Sequence, residues 1–78
     1  MDKQHGDTRF WTTFVEDRTK GFAGLRLHQE RSGSASVAAE VVFWDAAGQF
    51  YVQTFGGDVP LSILEALIEE TKDTIKTA

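Results

Sequence analysis

Residues 43–52, FWDAAGQFYV, place four aromatic rings on the two sides of a short turn, and this stretch decides the fold. The flanking residues are aromatic or β-branched, which is typical of β-strands. Residues 45–49 fit a type I turn followed by a bulge. Gly48 supplies the positive φ that such a turn requires, and Asp45 can accept hydrogen bonds from the turn amides. The stretch therefore predicts an antiparallel β-hairpin with Asp45 opposite Gln49.

This register predicts which side chains share a face of the sheet. Pairing outward from the turn sets Trp44 opposite Phe50 and Phe43 opposite Tyr51. Both faces are then mostly apolar, which is typical of strands buried on both sides. One face carries Ala38, Glu40, Val42, Trp44, Phe50, Val52 and Thr54, and the other carries Val37, Ala39, Val41, Phe43, Tyr51, Gln53 and Phe55.

Strand-like segments precede the hairpin and a helix follows it. Residues 9–16, RFWTTFVE, are rich in aromatic and β-branched residues, and residues 22–30, FAGLRLHQE, alternate apolar with polar side chains. From Pro60 onward, apolar residues recur every three or four positions, which predicts one side of a helix of about 16 residues. Either Asp58 or a capping box that starts at Ser62 can begin this helix.

The order of these elements predicts an α+β fold, ββββα: an antiparallel meander of three to four strands followed by one C-terminal helix packed on one face. The count is three if the first two segments form one bent ribbon. Residues 1–8 have no hydrophobic periodicity and are predicted to be a flexible N-terminal tail. Residues 9–78 are then predicted to form a single α+β domain.

The composition is that of a small folded protein. The 78 residues are 41% hydrophobic and 12% aromatic, well above the range in which chains stay disordered. There is no cysteine, and hence neither a disulfide framework nor a thiolate zinc site. No apolar run approaches the roughly 18 residues that a membrane-spanning helix needs, and no signal peptide is recognisable. A cytoplasmic protein without a membrane partner is expected.

Charge is distributed unevenly along the chain, whose net charge is −4. The second half is acidic, and this asymmetry favours charge-steered association with a partner. The overall acidity disfavours non-specific binding to nucleic acid duplexes, which depends on clustered basic side chains. All four arginines lie in the first half: Arg9, Arg18, Arg26 and Arg31.

No motif indicates catalysis, a cofactor or a metal. His28 and Glu30 form an i, i+2 pair on a strand, but zinc sites use three or four protein ligands and no third ligand is recognisable. No nucleophile motif is present, and Glu69 and Glu70 are predicted on a solvated helix surface rather than in a pocket. We therefore expect a non-enzymatic protein with no catalytic, cofactor-binding or metal-binding residue.

One helix can cover only one apolar face of the sheet, so the other face needs a second cover. At about 25 cal/mol per Å², several hundred Å² of apolar surface left in water forgoes several kcal/mol. The favoured cover is a second copy of the chain, which gives a homodimer. The alternative is that the segment containing Phe10, Trp11 and Phe14 folds back over this face.

These observations predict a small protein-binding module that acts as an inhibitor or adaptor on a larger protein or nucleoprotein. Its size and charge pattern fit the inhibitors that phages and other mobile elements direct against host defence complexes. Aromatic anchors and charged side chains that fix orientation form the predicted interface. These residues are Trp11, Trp44, Tyr51, Arg26, Arg31, Glu69, Glu70 and Asp73.

Two alternatives stay open. Single-stranded nucleic acid could stack on an aromatic sheet face beside Arg9, Arg26 and Arg31, although the net acidity disfavours direct nucleic-acid binding. Otherwise the chain is a structural homo-oligomeric domain with no separate ligand.

Overall fold

The computed structural model describes residues 1–75, which form five strands and one helix. The elements are β1 (Asp2–His5), β2 (Thr8–Asp17), β3 (Phe22–Arg31), β4 (Ser34–Trp44), β5 (Gln49–Thr54) and α1 (Leu61–Thr74). The strands form one antiparallel sheet in which spatial order equals chain order. The predicted α+β meander followed by a helix is confirmed, with five strands in place of three to four. The last residues of the predicted 9–78 domain, 76–78, lie outside the described residues.

Strand β1 occupies a segment that the sequence predicts to be a flexible tail, residues 1–8. Asp2–His5 pairs antiparallel with β2, from Asp2 opposite Trp11 to His5 opposite Thr8. All of its side chains are exposed. The strand forms through backbone hydrogen bonds to β2 rather than through burial, which explains why no hydrophobic periodicity marks it.

Strands β2 and β3 are separate strands rather than one bent ribbon. They pair along their whole length, from Thr8 opposite Arg31 to Asp17 opposite Phe22. Gly21 closes their turn in the left-handed region, at φ 79°, and its N–H donates to the Asp17 carbonyl at 2.8 Å. The aromatic residues of β2 are therefore part of the sheet, and the alternative in which they fold back over one of its faces is wrong.

The β4–β5 hairpin forms, but its register differs by one residue from the predicted one. Trp44 pairs with Gln49 instead of Phe50, so residues 45–48 form the turn. The Trp44 carbonyl accepts the Gly48 N–H at 2.8 Å, and Gly48 has the predicted positive φ, 65°. Because the turn has one more residue than predicted, every β5 side chain lies on the opposite face of the sheet.

The shifted register brings Trp44 and Tyr51 onto the same face, whereas the predicted register places them on opposite faces. Tyr51 lies opposite Val42, which is two residues from Trp44 and shares its face. On the other face, Phe43 packs edge-on against Phe50 with the ring centroids 5.1 Å apart.

Helix α1 packs on one face of the sheet across β3 and β4, while Phe14 of β2 and Val52 of β5 on the same face stay about half exposed. Its buried residues are Ile63, Leu67 and Thr71, and Leu67 packs with Leu27 at full burial. The hydroxyl of Thr71 donates to the Leu67 carbonyl at 2.7 Å, so this buried polar group is satisfied. The core cluster contains Phe10, Leu25, Leu27, Ala38, Ala39, Val41, Ile63 and Leu67.

The helix begins without the predicted side-chain caps. Pro60 is the N-cap residue and no side-chain cap hydrogen bond is made, so neither Asp58 nor Ser62 caps the helix. The Pro60 carbonyl instead accepts the Ile63 N–H at 3.0 Å. Leu61 is 70% exposed, and Ile63 contributes the first buried side chain of the helix. Packing rather than capping therefore stabilises α1.

A β-bulge in β4 divides the strand into two segments. Leu27 pairs with Ala39 and His28 pairs with Val37, which leaves Ala38 as the extra residue. Ala38 is buried under the helix. As a result Val37 shares the face of His28, away from α1.

Candidate functional site

The face of the sheet turned away from α1 is not covered by any helix or strand among residues 1–75, and we call it the open face. Leu25 and Leu27 of β3 pack under the helix, so the alternate residues Arg26 and His28 point to the open face. Directly opposite residues of antiparallel strands share a face, which extends the assignment across the sheet. The open face carries Trp11, Thr13, Val15, Phe22, Arg26, His28, Val37, Glu40, Val42, Trp44, Tyr51 and Gln53.

One end of the open face is apolar, beside the β2–β3 and β4–β5 turns. Phe22 packs against Trp44 with ring centroids 4.8 Å apart, and Val15 and Val42 lie in the adjoining row of the sheet. Tyr51 ends that row and is 50% exposed. We call these five residues the apolar half of the open face. Tyr51 is the most exposed of the five, Val15, Phe22 and Trp44 are partly buried, and Val42 is buried between them.

Gly24 lies within this half and lets β3 and β4 approach closely. A Cβ at Gly24 would lie 2.0 Å from the Val41 carbonyl oxygen and 2.6 Å from the Val42 Cα. Both are backbone atoms that cannot rotate away. Glycine is therefore the residue that fits here, as is common where backbones approach closely in a sheet.

A shallow cavity adjoins the apolar half at the β4–β5 turn. It has a volume of about 300 Å³ and is lined by Trp44, Ala46, Ala47 and Tyr51. Its walls are methyl groups and aromatic rings, so it can accept an aliphatic or aromatic side chain from another protein.

The remainder of the open face carries polar side chains that bond to one another. The Arg26 Nε lies 2.9 Å from the Glu40 Oε2. The His28 ring stacks on Trp11 with centroids 5.3 Å apart and planes 11° from parallel, and its Nε2 lies 2.8 Å from the Thr13 hydroxyl. These contacts hold the side chains in fixed positions, so little rotamer freedom would be lost when a partner binds here.

Arg9 and Asp2 extend this polar surface at the β1 edge. The Arg9 Nη2 and Nε donate to the two Asp2 carboxylate oxygens at 2.7 and 3.0 Å. The Arg9 Cζ also lies 4.9 Å from the Trp11 ring centroid, a cation–π distance. The hydrogen bond from Arg9 lowers the pKa of Asp2 below its ordinary value, and the same contact raises the pKa of Arg9.

Every arginine of the chain is paired with a carboxylate. The distances between nitrogen and oxygen range from 2.7 to 3.6 Å. The guanidinium groups are thus directed at carboxylates of the same chain, and an incoming phosphate would compete with them. The pairs are Arg9–Asp2, Arg18–Glu16, Arg26–Glu40 and Arg31–Asp7.

The structure brings together half of the residues predicted for the interface. Trp11, Arg26, Trp44 and Tyr51 lie on the open face. Arg31 ends β3 far from the apolar half, and its Nε lies 3.1 Å from Asp7. The predicted residues of α1 are on the opposite side of the sheet, where Glu69 and Asp73 are exposed.

Glu70 makes contacts within the chain. Its Oε2 accepts hydrogen bonds from the Met1 ammonium at 2.9 Å and from the Thr12 hydroxyl at 3.0 Å. The Met1 ammonium also donates to Thr12 at 2.8 Å. This network ties α1 to β2, so Glu70 has a structural role.

Val42 lies on the face of Trp44 as predicted, whereas Phe22 and Gly24 were not predicted to be components of this face. The face of Phe22 can be read from the sequence, because Phe22 lies four and six positions from Arg26 and His28 in one strand, and residues at even spacing share a face. The place of Gly24 depends on the approach of another strand, which no local pattern encodes.

A second cavity, of about 570 Å³, lies at the opposite end of the sheet beside the segment before α1. It is more polar, and Gln29 and Ser36 in its wall bond to each other at 3.1 Å.

Residues 1–75 contain no group of three or more His, Cys, Asp or Glu side chains that could hold a metal ion. Within the same residues no helix is long and apolar enough to cross a membrane.

Comparison of the chain with protein-family models, with curated proteins and with solved structures gives no match.

Proposed function

We propose that the chain is a non-enzymatic protein-binding module that acts as an inhibitor or adaptor by placing its open face on a larger protein. The observation that carries the proposal is the uncovered apolar half, in which Tyr51 is half exposed beside Trp44 and Phe22. Contiguous apolar surface of this kind is typical of interaction sites.

The dimensions of the open face suit a protein partner. Ten residues of β3 at about 3.4 Å each span roughly 34 Å, and five strands about 4.8 Å apart span roughly 19 Å. The projected area is therefore roughly 650 Å², close to the about 800 Å² that each partner contributes to a standard protein interface. An apolar cluster flanked by polar side chains also matches the usual division of an interface into core and rim.

Each part of the open face has a distinct role in this proposal. Trp44 and Tyr51 are the anchors, because aromatic side chains contribute most to the energy of interfaces. The Arg26–Glu40 pair and the His28–Trp11 stack set the orientation of the partner through complementary charges and hydrogen bonds.

The pairing of every arginine favours protein over nucleic acid as the partner. Affinity for nucleic acid depends on basic groups that replace counterions at phosphates, and it falls steeply with salt. Here the two arginines of the open-face side, Arg9 and Arg26, already contact Asp2 and Glu40. We expect the partner complex to persist at salt concentrations that dissociate phosphate-driven complexes.

A photo-crosslinking experiment tests the proposal, with a matched control on the helix side of the sheet. A photoreactive amino acid replaces Tyr51 in one variant and Phe14 in the other; the two are 50% and 54% exposed but point to opposite faces. Both variants are expressed in cells that naturally produce the chain, irradiated and analysed by mass spectrometry. We expect position 51 to give an adduct with one different protein and position 14 to give none with that protein.

A binding measurement then follows with the captured protein. Tyr51→Ser should raise the dissociation constant of this complex by about 30-fold, which corresponds to about 2 kcal/mol, while Phe14→Ser should leave it near the parent value. The proposal is overturned if position 51 captures only nucleic acid, or only a second copy of the chain, or if the two positions capture the same foreign protein equally.

A further inference from the structure

Strand β5 is an unprotected edge of the sheet. It pairs with β4 on one side, and no strand lies on its other side among the described residues. Edge strands usually carry charged residues or proline, which prevent another strand from pairing with their free backbone groups. Neither β5, QFYVQT, nor the residues from 46 to 57 around it contain a charge or a proline.

The opposite edge of the sheet has such protection. Strand β1 has only four residues, and three of them are Asp2, Lys3 and His5. Asp2 is in addition engaged by Arg9. One edge of the sheet is therefore protected against pairing with another strand, whereas the uncharged β5 edge is open to such pairing.

The pattern of free backbone groups on β5 is set by its pairing with β4. The Phe55 N–H donates to the Ala38 carbonyl at 3.2 Å. Backbone groups alternate in direction along an antiparallel strand, so odd-numbered residues of β5 bond to β4. The N–H and C=O groups of Phe50, Val52 and Thr54 therefore point outward from the edge.

We propose that β5 pairs with β5 of a second copy, antiparallel and with Val52 opposite Val52, to form a two-fold symmetric dimer with a continuous ten-stranded sheet. In this register Phe50 lies opposite Thr54 of the other copy, so all outward groups of the strand are paired. Opposite residues then share a face, as antiparallel pairing requires. No like charges meet, because the strand has none.

A second copy suits this edge because the register is self-complementary. On the helix side, Val52 is 47% exposed, and it would pack against its own symmetry mate. On the open face, Tyr51 would lie opposite Gln53 of the other copy, which can pack against the ring and bond to the hydroxyl. A single two-fold axis thus pairs the free backbone groups of β5 and also brings the side chains of the two copies into contact.

The dimer goes beyond the proposed function, because it uses the edge of the sheet and leaves the open face free. The two-fold axis runs perpendicular to the sheet, so both helices lie on one side and both open faces on the other. Two Tyr51 side chains would then flank the axis about 7–8 Å apart, as diagonal neighbours. The two apolar halves become one surface that can bind a two-fold symmetric partner.

The mass of the parent chain in solution, measured by size-exclusion chromatography with light scattering, is the first test. We expect twice the chain mass at micromolar concentration. Val52→Lys places like charges opposite each other at the axis and should raise the dissociation constant at least ten-fold, whereas Val52→Thr keeps the shape and should dimerise. Val52→Pro removes an outward N–H without removing a hydrogen bond to β4, and it should also give a folded monomer, with circular dichroism reporting the fold.

Two further measurements locate the contact. The chain has no cysteine, so Val52→Cys introduces a single thiol that a short bismaleimide should link between copies, while Gln4→Cys on the opposite edge should not be linked. Amide exchange of Val52 and Thr54 should slow at least ten-fold on passing from dilute to concentrated protein. Exchange of Tyr51 and Gln53, which bond to β4, should change far less.

A monomeric parent chain at hundreds of micromolar would overturn the dimer, as would a dimer that survives Val52→Lys and resists linkage through position 52. Neither result would affect the capture of a different protein through position 51. Conversely, failure to capture any partner would leave the edge-paired dimer intact.

Discussion

The substitution Gly24→Ala tests the close approach of β3 and β4 beneath the apolar half. The added Cβ would lie 2.0 Å from the Val41 carbonyl oxygen, whereas ordinary contacts begin at 3.4 Å, so the strands must separate by about 1.4 Å. Such a shift distorts the hydrogen bonds between the strands, and the reduced chain entropy of an alanine offsets only a little of this cost. We expect destabilisation at the upper end of the about 1–3 kcal/mol that overpacking costs.

Urea unfolding followed by tryptophan fluorescence measures this effect. For so small a chain the dependence on urea is about 1 kcal/mol per M, so the midpoint should fall by about 2–3 M. Gly57→Ala is the matched control, because no atom lies within 4 Å of its added Cβ. It should be neutral or stabilise by up to about 1 kcal/mol. If Gly24→Ala lies within about 0.5 kcal/mol of the parent, the close approach is refuted.

Two further predictions concern the core and the β1 edge. Leu67→Ala should lower the free energy of unfolding by about 2–5 kcal/mol because Leu67 is fully buried. Leu61→Ala, at a 70% exposed position, should change it by less than about 0.5 kcal/mol. Equal losses of stability for the two variants in thermal unfolding would show that α1 is rotated about its axis. Because Arg9 lowers the pKa of Asp2, the stabilisation from this pair is complete above the unfolded pKa of Asp2 and is lost as pH falls through the folded pKa. A carboxyl NMR titration should show the Asp2 midpoint rising toward its ordinary value in Arg9→Gln, and an unchanged midpoint would contradict the assigned hydrogen bond.

The elements that bury apolar side chains could be predicted from the sequence. Strand β3 alternates Leu25 and Leu27 with Arg26 and His28, and α1 repeats apolar residues at helical spacing, so both were found. Strand β1 was missed because its side chains, DKQH, are all exposed and only backbone pairing orders them. The hydrophobic pattern of a segment cannot predict a strand that is ordered only by backbone pairing with the neighbouring strand.

The faces of β5 could not be predicted, because they depend on one residue in the turn. The segment 45–48 is a four-residue turn, and a three-residue turn fits the same amino acids. Since side chains alternate with a period of two, this difference moves Tyr51 from one face to the other. The chosen anchors Trp44 and Tyr51 nevertheless meet on the open face, while Glu70 is engaged by Met1, a contact between distant parts of the chain.

The meander topology has a consequence for how the chain folds. Each strand pairs with its neighbour in sequence, so most contacts close short loops, and chains with such local contacts fold rapidly. The contacts of α1 are long-range: the helix packs on β3 and β4, and Glu70 accepts hydrogen bonds from Met1 and Thr12, 69 and 58 positions away. Because these contacts close longer loops than the hairpins do, we expect α1 to dock after the hairpins have formed.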